Sequence, residues 1–140
     1  MRILVIEDEA DLLASLAKAL REEACAVDAA ADGEEGLYNA ENTAYDAIVL
    51  AIGELSINTA TRQVTLSNTP VALTAREYCL LEFLALHRGE TVTRTVLYEH
   101  LFDEDDDTLS NLLDVHVSNL RKKLGHELIA TRRGLGYCIE

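Results

Sequence analysis

Apolar positions along the chain follow two different regimes. Near the start, Ile3–Ile6 is a short continuous apolar run, the pattern of a strand covered on both faces. Leu12, Leu13, Leu16, Ala17 and Leu20 then recur at helical spacing, with Asp8 or Asp11 able to cap the start. Ala26–Ala30 predicts a second strand, Asp32–Asn42 a weaker helix with Leu37 and Ala40 inward, and Ala47–Leu50 a third strand. This β-α-β-α-β order implies a parallel sheet with right-handed crossovers.

After residue 51 the rhythm changes. Glu54–Asn58, Gln63–Leu66 and Val71–Leu73 read as short strands parted by turn residues, an antiparallel meander. Thr74-Ala75-Arg76-Glu77 is a capping box opening a strongly apolar helix that runs to His87 and closes at Arg88-Gly89. Thr93 can cap another helix ending at Leu101, and Ser110–Leu124 predicts a third that stops at Gly125. Ile129–Arg132, the turn Gly134-Leu135-Gly136 and Tyr137–Ile139 make a final hairpin. Strands, three helices and a terminal hairpin are the layout of a winged helix-turn-helix.

On a helical wheel, Leu113, Val117, Leu120 and Leu124 form one buried stripe of the last helix. Asn111, Val115, Ser118 and Lys122 lie opposite, with Asn119 at the margin. That face is small, polar and singly basic, with amides suited to base edges and a Val suited to a thymine methyl. Arg121 and Lys123 flank it, placed for phosphates. An ordinary helix could show the same solvated face. The hairpin behind it, Thr131-Arg132-Arg133-Gly134, shifts the balance, because arginines on a thin β-loop suit a minor groove.

Charge at first opposes this reading. The 140 residues hold 12 Lys+Arg against 25 Asp+Glu, a formal net charge of −13, and a polyanion repels such a chain. The excess is unevenly placed, however. Residues 1–50 hold 3 basic and 12 acidic residues, and five acids form the single run Asp103–Asp107. Between Arg121 and Arg133 stand five basic residues and one acid. Cys25, Cys79 and Cys138 form no CxxC pair and read as buried reduced thiols, and the four histidines have no metal-ligand spacing. No run reaches the roughly 18 apolar residues of a membrane span, the acidic start is unlike a signal peptide, and a cytoplasmic protein is expected. Nor is there a GxSxG or Gly-rich phosphate loop, so no enzyme activity is expected.

Leu73-Thr74-Ala75-Arg76-Glu77, Asp114-Val115-His116-Val117-Ser118-Asn119-Leu120-Arg121-Lys122-Lys123-Leu124 and Thr131-Arg132-Arg133-Gly134-Leu135-Gly136-Tyr137 resemble the effector domain of OmpR/PhoB-type response regulators, in register from about residue 52 to the C-terminus. The resemblance implies a homodimeric transcription factor on tandem half-sites of double-stranded DNA. Its recognition helix would be 110–124 in the major groove, and its wing 129–139 in the minor groove. Thr93 and Arg94 would add phosphate contacts, and the acidic loop 102–109 would face RNA polymerase.

Residues 1–51 resemble the start of a receiver domain, through Ile3–Glu9 and Tyr45–Leu50. The expected fold is thus an α/β half-receiver, a flavodoxin-like fragment over 1–51, followed by an α+β winged-helix domain over 52–140. The resemblance implies Mg²⁺ at Glu7 and Asp8 and a sensor histidine kinase as partner, if the receiver is complete. It is not complete, for the position of the phosphate-accepting aspartate holds Ala51, and only three of five strands are present. The seam reads either as a deletion or as a stretch missing between Leu50 and Ile52. A contiguous chain should expose apolar surface on the third strand and first helix. Two other functions compete with DNA reading: a phosphotransfer module, which Ala51 disfavours, and an interaction or dimerisation protein whose winged helix binds protein.

Overall fold

In a computed structural model covering residues 1–102 and 112–140, the chain divides into two compact units, Met1–Val71 and Ala72–Glu140. Asn111, the expected helix start at Ser110 and most of loop 102–109 lie outside the described residues.

The first unit is built on one mixed sheet. Strands β1 (Arg2–Ile6), β2 (Ala26–Ala30) and β3 (Ala47–Ile52) pair in parallel, with β1 in the centre, the order expected of the first three receiver strands. Helix α1 (Ala10–Glu22) begins on Glu9, whose carboxylate accepts from the Asp11 and Leu12 amides, so neither Asp8 nor Asp11 is the cap. Helix α2 (Gly33–Asn42) is capped by Asp32 through the Glu35 amide. Leu13, Leu16 and Leu20 of α1 pack on Ile3, Val5 and Ala47 with Val27 and Val49.

Strand β3 does not end at the expected seam. It continues to Ile52, turns through Gly53-Glu54 and pairs antiparallel with β4 (Leu55–Asn58), matching Ala51 to Ser56 and Ile52 to Leu55. Gly53 sits at φ +57, the left-handed geometry that a two-residue hairpin needs. Strands β5 (Gln63–Leu66) and β6 (Thr69–Val71) follow in antiparallel order, giving β2-β1-β3-β4-β5-β6. Backbone pairing thus crosses the boundary expected after residue 51, and the compact units part at Val71/Ala72. Pairing also covers the edge of β3 expected to be bare: Leu50 and Ala51 are buried, and of the α1 leucines only Leu12 is exposed.

The second unit holds α3 (Ala75–Leu86), α4 (Arg94–Leu101) and α5 (Leu112–Leu124) with a small sheet ordered β7-β9-β8. Its strands are β7 (Val92–Thr93), β8 (Ile129–Arg132) and β9 (Gly136–Ile139). Thr74 and Glu77 form the expected capping box, each side chain accepting from the other's backbone amide. Leu80, Leu81, Leu84, Leu97, Leu113, Leu120, Ile129 and Ile139 are fully buried and make the core. Of the three cysteines only Cys138 is buried; Cys25 and Cys79 are half-buried, and all are free thiols.

Candidate nucleic-acid interface

Helix α5 sorts its residues as its periodicity requires. Leu113, Val117, Leu120 and Leu124 are buried, whereas Val115, Ser118 and Lys122 are exposed and Asn119 is half-buried. Val115, at 46% exposure, is one of the few large apolar side chains left in solvent. Thr93 caps α4 by accepting from the Val96 amide at 3.3 Å.

Four cations expected at DNA, three at phosphates and Arg132 in the minor groove, make hydrogen bonds within the protein. Lys123 donates at 2.6 Å to Glu77, a carboxylate only 1% exposed. Arg121 donates to the Ile129 carbonyl at 2.7 Å and to Thr131 Oγ1 at 2.7 Å, which also occupies the expected contact residue Thr131. Arg132 pairs with Glu140. Arg94 makes a two-pronged pair with Asp114, at 2.6 and 3.3 Å. The physical reason is common to all four: these cations sit beside carboxylates, or a carbonyl and a hydroxyl, of their own domain. Among the described residues, Lys122 and Arg133 are the exposed cations of this surface whose side chains meet no internal partner.

Asp114 and Tyr137 were not singled out by sequence reasoning. The Tyr137 hydroxyl donates to Asp114, and its ring lies 5.9 Å from the Arg121 guanidinium. The Arg94 hydrogen bonds hold the Asp114 carboxyl below its ordinary range, while burial and then Asp114 push the Tyr137 hydroxyl up. Gly136 allows the small sheet to close: a Cβ there would lie 1.9 Å from the Val92 carbonyl oxygen. The available signal was an acid in the first turn of a helix otherwise basic at its end.

The residues expected to hold Mg²⁺ do not fit that ion. Glu7 is 2% exposed and accepts from the Glu9 amide at 2.9 Å, and Ala51 offers no oxygen ligand. Among the described residues no three His, Cys, Asp or Glu side chains gather in a way that could hold a metal.

The family model described as "Transcriptional regulatory protein, C terminal" matches residues 68–139. The chain belongs to that family, the effector type of OmpR/PhoB response regulators. Its effector domain is similar to the response regulator protein PmrA of Pseudomonas aeruginosa, 46% identical over 91 residues, 65% of this chain and 41% of PmrA. The chain thus spans about two fifths of the length of the curated relatives it matches. A solved relative is the RstA DNA-binding domain of Klebsiella pneumoniae in complex with the RstA box: 32% identity, TM-score 0.56, covering 65% of this chain and 95% of that one. Response regulator DrrB of Thermotoga maritima, an OmpR/PhoB homologue, shares the fold over 99% of this chain and 98% of its own, with TM-score 0.61 at 17% identity.

Proposed function

We propose that the chain is a sequence-specific, double-stranded DNA-binding transcriptional regulator that acts by binding and not by catalysis. The observation that carries this reading is the surface of α5 and the wing. Val115, Ser118 and Lys122 face outward from a helix whose opposite stripe is buried, and Arg133 stands exposed at the tip of the β8–β9 hairpin. The helix presents small polar and methyl-matching groups for a major groove, and the hairpin is thin enough for a minor groove. The DNA complex of the similar RstA domain supports it.

Binding is by a homodimer on tandem half-sites, with loop 102–109 directed at RNA polymerase, in the cytoplasm where that template lies. No helix among the described residues is long and apolar enough to cross a membrane. A histidine kinase and Mg²⁺ are not needed for this role, since position 51 lacks the carboxylate that would accept phosphate.

The test is DNA affinity measured across a salt series. Neutralising Lys122 or Arg133 should each flatten the slope of log K against log salt by about 1, the signature of one lost phosphate contact. Asn119→Ala should alter sequence preference with a smaller loss of nonspecific affinity. Affinity and slope unchanged in all three variants would defeat the reading and favour a winged helix that binds protein.

A further inference from the structure

Resting on that DNA reading, we propose that Asp114 and Tyr137 are positioning residues: with Arg94 and Arg121 they set the spacing between the base-reading face of α5 and the wing, and so set sequence discrimination.

Two ties join α5 to the wing sheet, and both converge on Tyr137. The first is at the start of the helix. Asp114 accepts from Arg94 at 2.6 and 3.3 Å and from the Tyr137 hydroxyl, so one carboxylate gathers the start of α4, the first turn of α5 and strand β9. The backbone repeats this link: the Arg94 amide donates to the Leu135 carbonyl at 3.4 Å, and Thr93 pairs with Gly136. Seven residues later comes the second tie. Arg121 crosses to the Ile129 carbonyl and Thr131 of β8, with its guanidinium 5.9 Å from the Tyr137 ring. Seven residues of helix span about 10 Å. Val115 and Ser118 lie between the two ties, and Lys122 just beyond the second.

Such an arrangement serves position more than attraction. The charge of Arg94 is offset by Asp114, and Arg121 keeps its charge but is fixed in place by a carbonyl and a hydroxyl. Base readout needs the helix held to a fraction of an ångström, whereas phosphate attraction tolerates play. Loosening the ties therefore lowers specific binding and spares nonspecific binding. Releasing Arg94 from Asp114 also gives the surface one more cation.

The experiment uses the full 140-residue chain and the duplex it enriches from a randomised library, compared with a scrambled duplex of equal length. For Asp114→Asn, affinity for the enriched duplex should fall roughly tenfold, the scale of one charge-assisted hydrogen bond. Affinity for the scrambled duplex should hold or rise, with a salt slope steeper by about 1 per copy. Tyr137→Phe keeps the ring beside Arg121 and removes only the hydroxyl; it should lower discrimination in the same direction, and it decides the matter if Asp114→Asn does not fold. Parallel loss on both duplexes, or unchanged discrimination in Tyr137→Phe, overturns the positioning role and leaves DNA reading intact. Failure of the unaltered chain to enrich any sequence overturns the DNA reading, and the positioning role with it.

Discussion

The Lys123 ammonium donates to the buried Glu77 carboxylate at 2.6 Å, tying the last turn of α5 to the first turn of α3. Glu77 also accepts from the Thr74 amide, so one carboxylate serves as both helix cap and ion-pair partner. Burial alone would raise its pKa, but Lys123 and Thr74 outweigh it and hold the carboxyl below its ordinary range. A group depressed in the folded state contributes stability above its unfolded pKa, about 4.3 for Glu, and loses it as pH falls through the folded value. Melting temperature should therefore decline below about pH 4.5. Glu77→Gln should flatten that decline while lowering stability at neutral pH. Lys123→Met, which strands a buried carboxylate, should cost about 2 kcal/mol at pH 7 by chemical denaturation.

Gly136 supports a second test. Alanine there would drive its Cβ into the Val92 carbonyl oxygen and to 2.9 Å from Thr93 Cα. Both neighbours are backbone, so the strain has no flexible side chain to absorb it. Gly136→Ala should cost about 3 kcal/mol or displace β7 from β9. Loss of amide protection at Arg94 and Tyr137 in hydrogen exchange would separate displacement from simple strain; an unchanged melting temperature would contradict the close approach.

What could be read ahead of the fold was local. The Thr74–Glu77 box and the α5 stripe depend on residues three or four apart, and both stand as expected. The internal engagement of the cations was not legible, because Lys123 finds Glu77 across 46 positions and Arg94 finds Asp114 across 20. Continuity of the sheet was legible in part. Gly53-Glu54 between apolar Ile52 and Leu55 is a hairpin signal, but the likeness of residues 1–51 to a truncated receiver drew a boundary across it.

The two faces of α5 should respond in opposite ways. Leu120→Ala removes a fully buried side chain and should cost about 2–5 kcal/mol in denaturant unfolding. Val115→Ala and Ser118→Ala touch the exposed face, and their stability should stay within about 0.5 kcal/mol of the parent. Their effect should fall on base preference, read by repeating the enrichment with each variant. Comparable destabilisation from both faces would contradict the burial pattern.

Ala51 allows the sharpest test of the front unit. It is 7% exposed, pairs with Ser56 of β4, and stands one residue past the Ile6–Leu50 pair, where the parallel register brings it level with Glu7. Incubation with Mg²⁺ and a small acyl phosphate should add no phosphoryl mass to the chain, and DNA affinity should not change. Restoring a carboxylate by Ala51→Asp should not restore the chemistry. The new group would be buried in strand pairing and set beside a buried Glu7, so desolvation and like charge would both push its pKa up. The variant should lose about 2 kcal/mol or more of stability near pH 7 and regain part of it as pH falls and the new carboxyl protonates. A phosphoryl adduct on the unaltered chain, mapped to any residue of the front unit, would refute phosphorylation-independent binding.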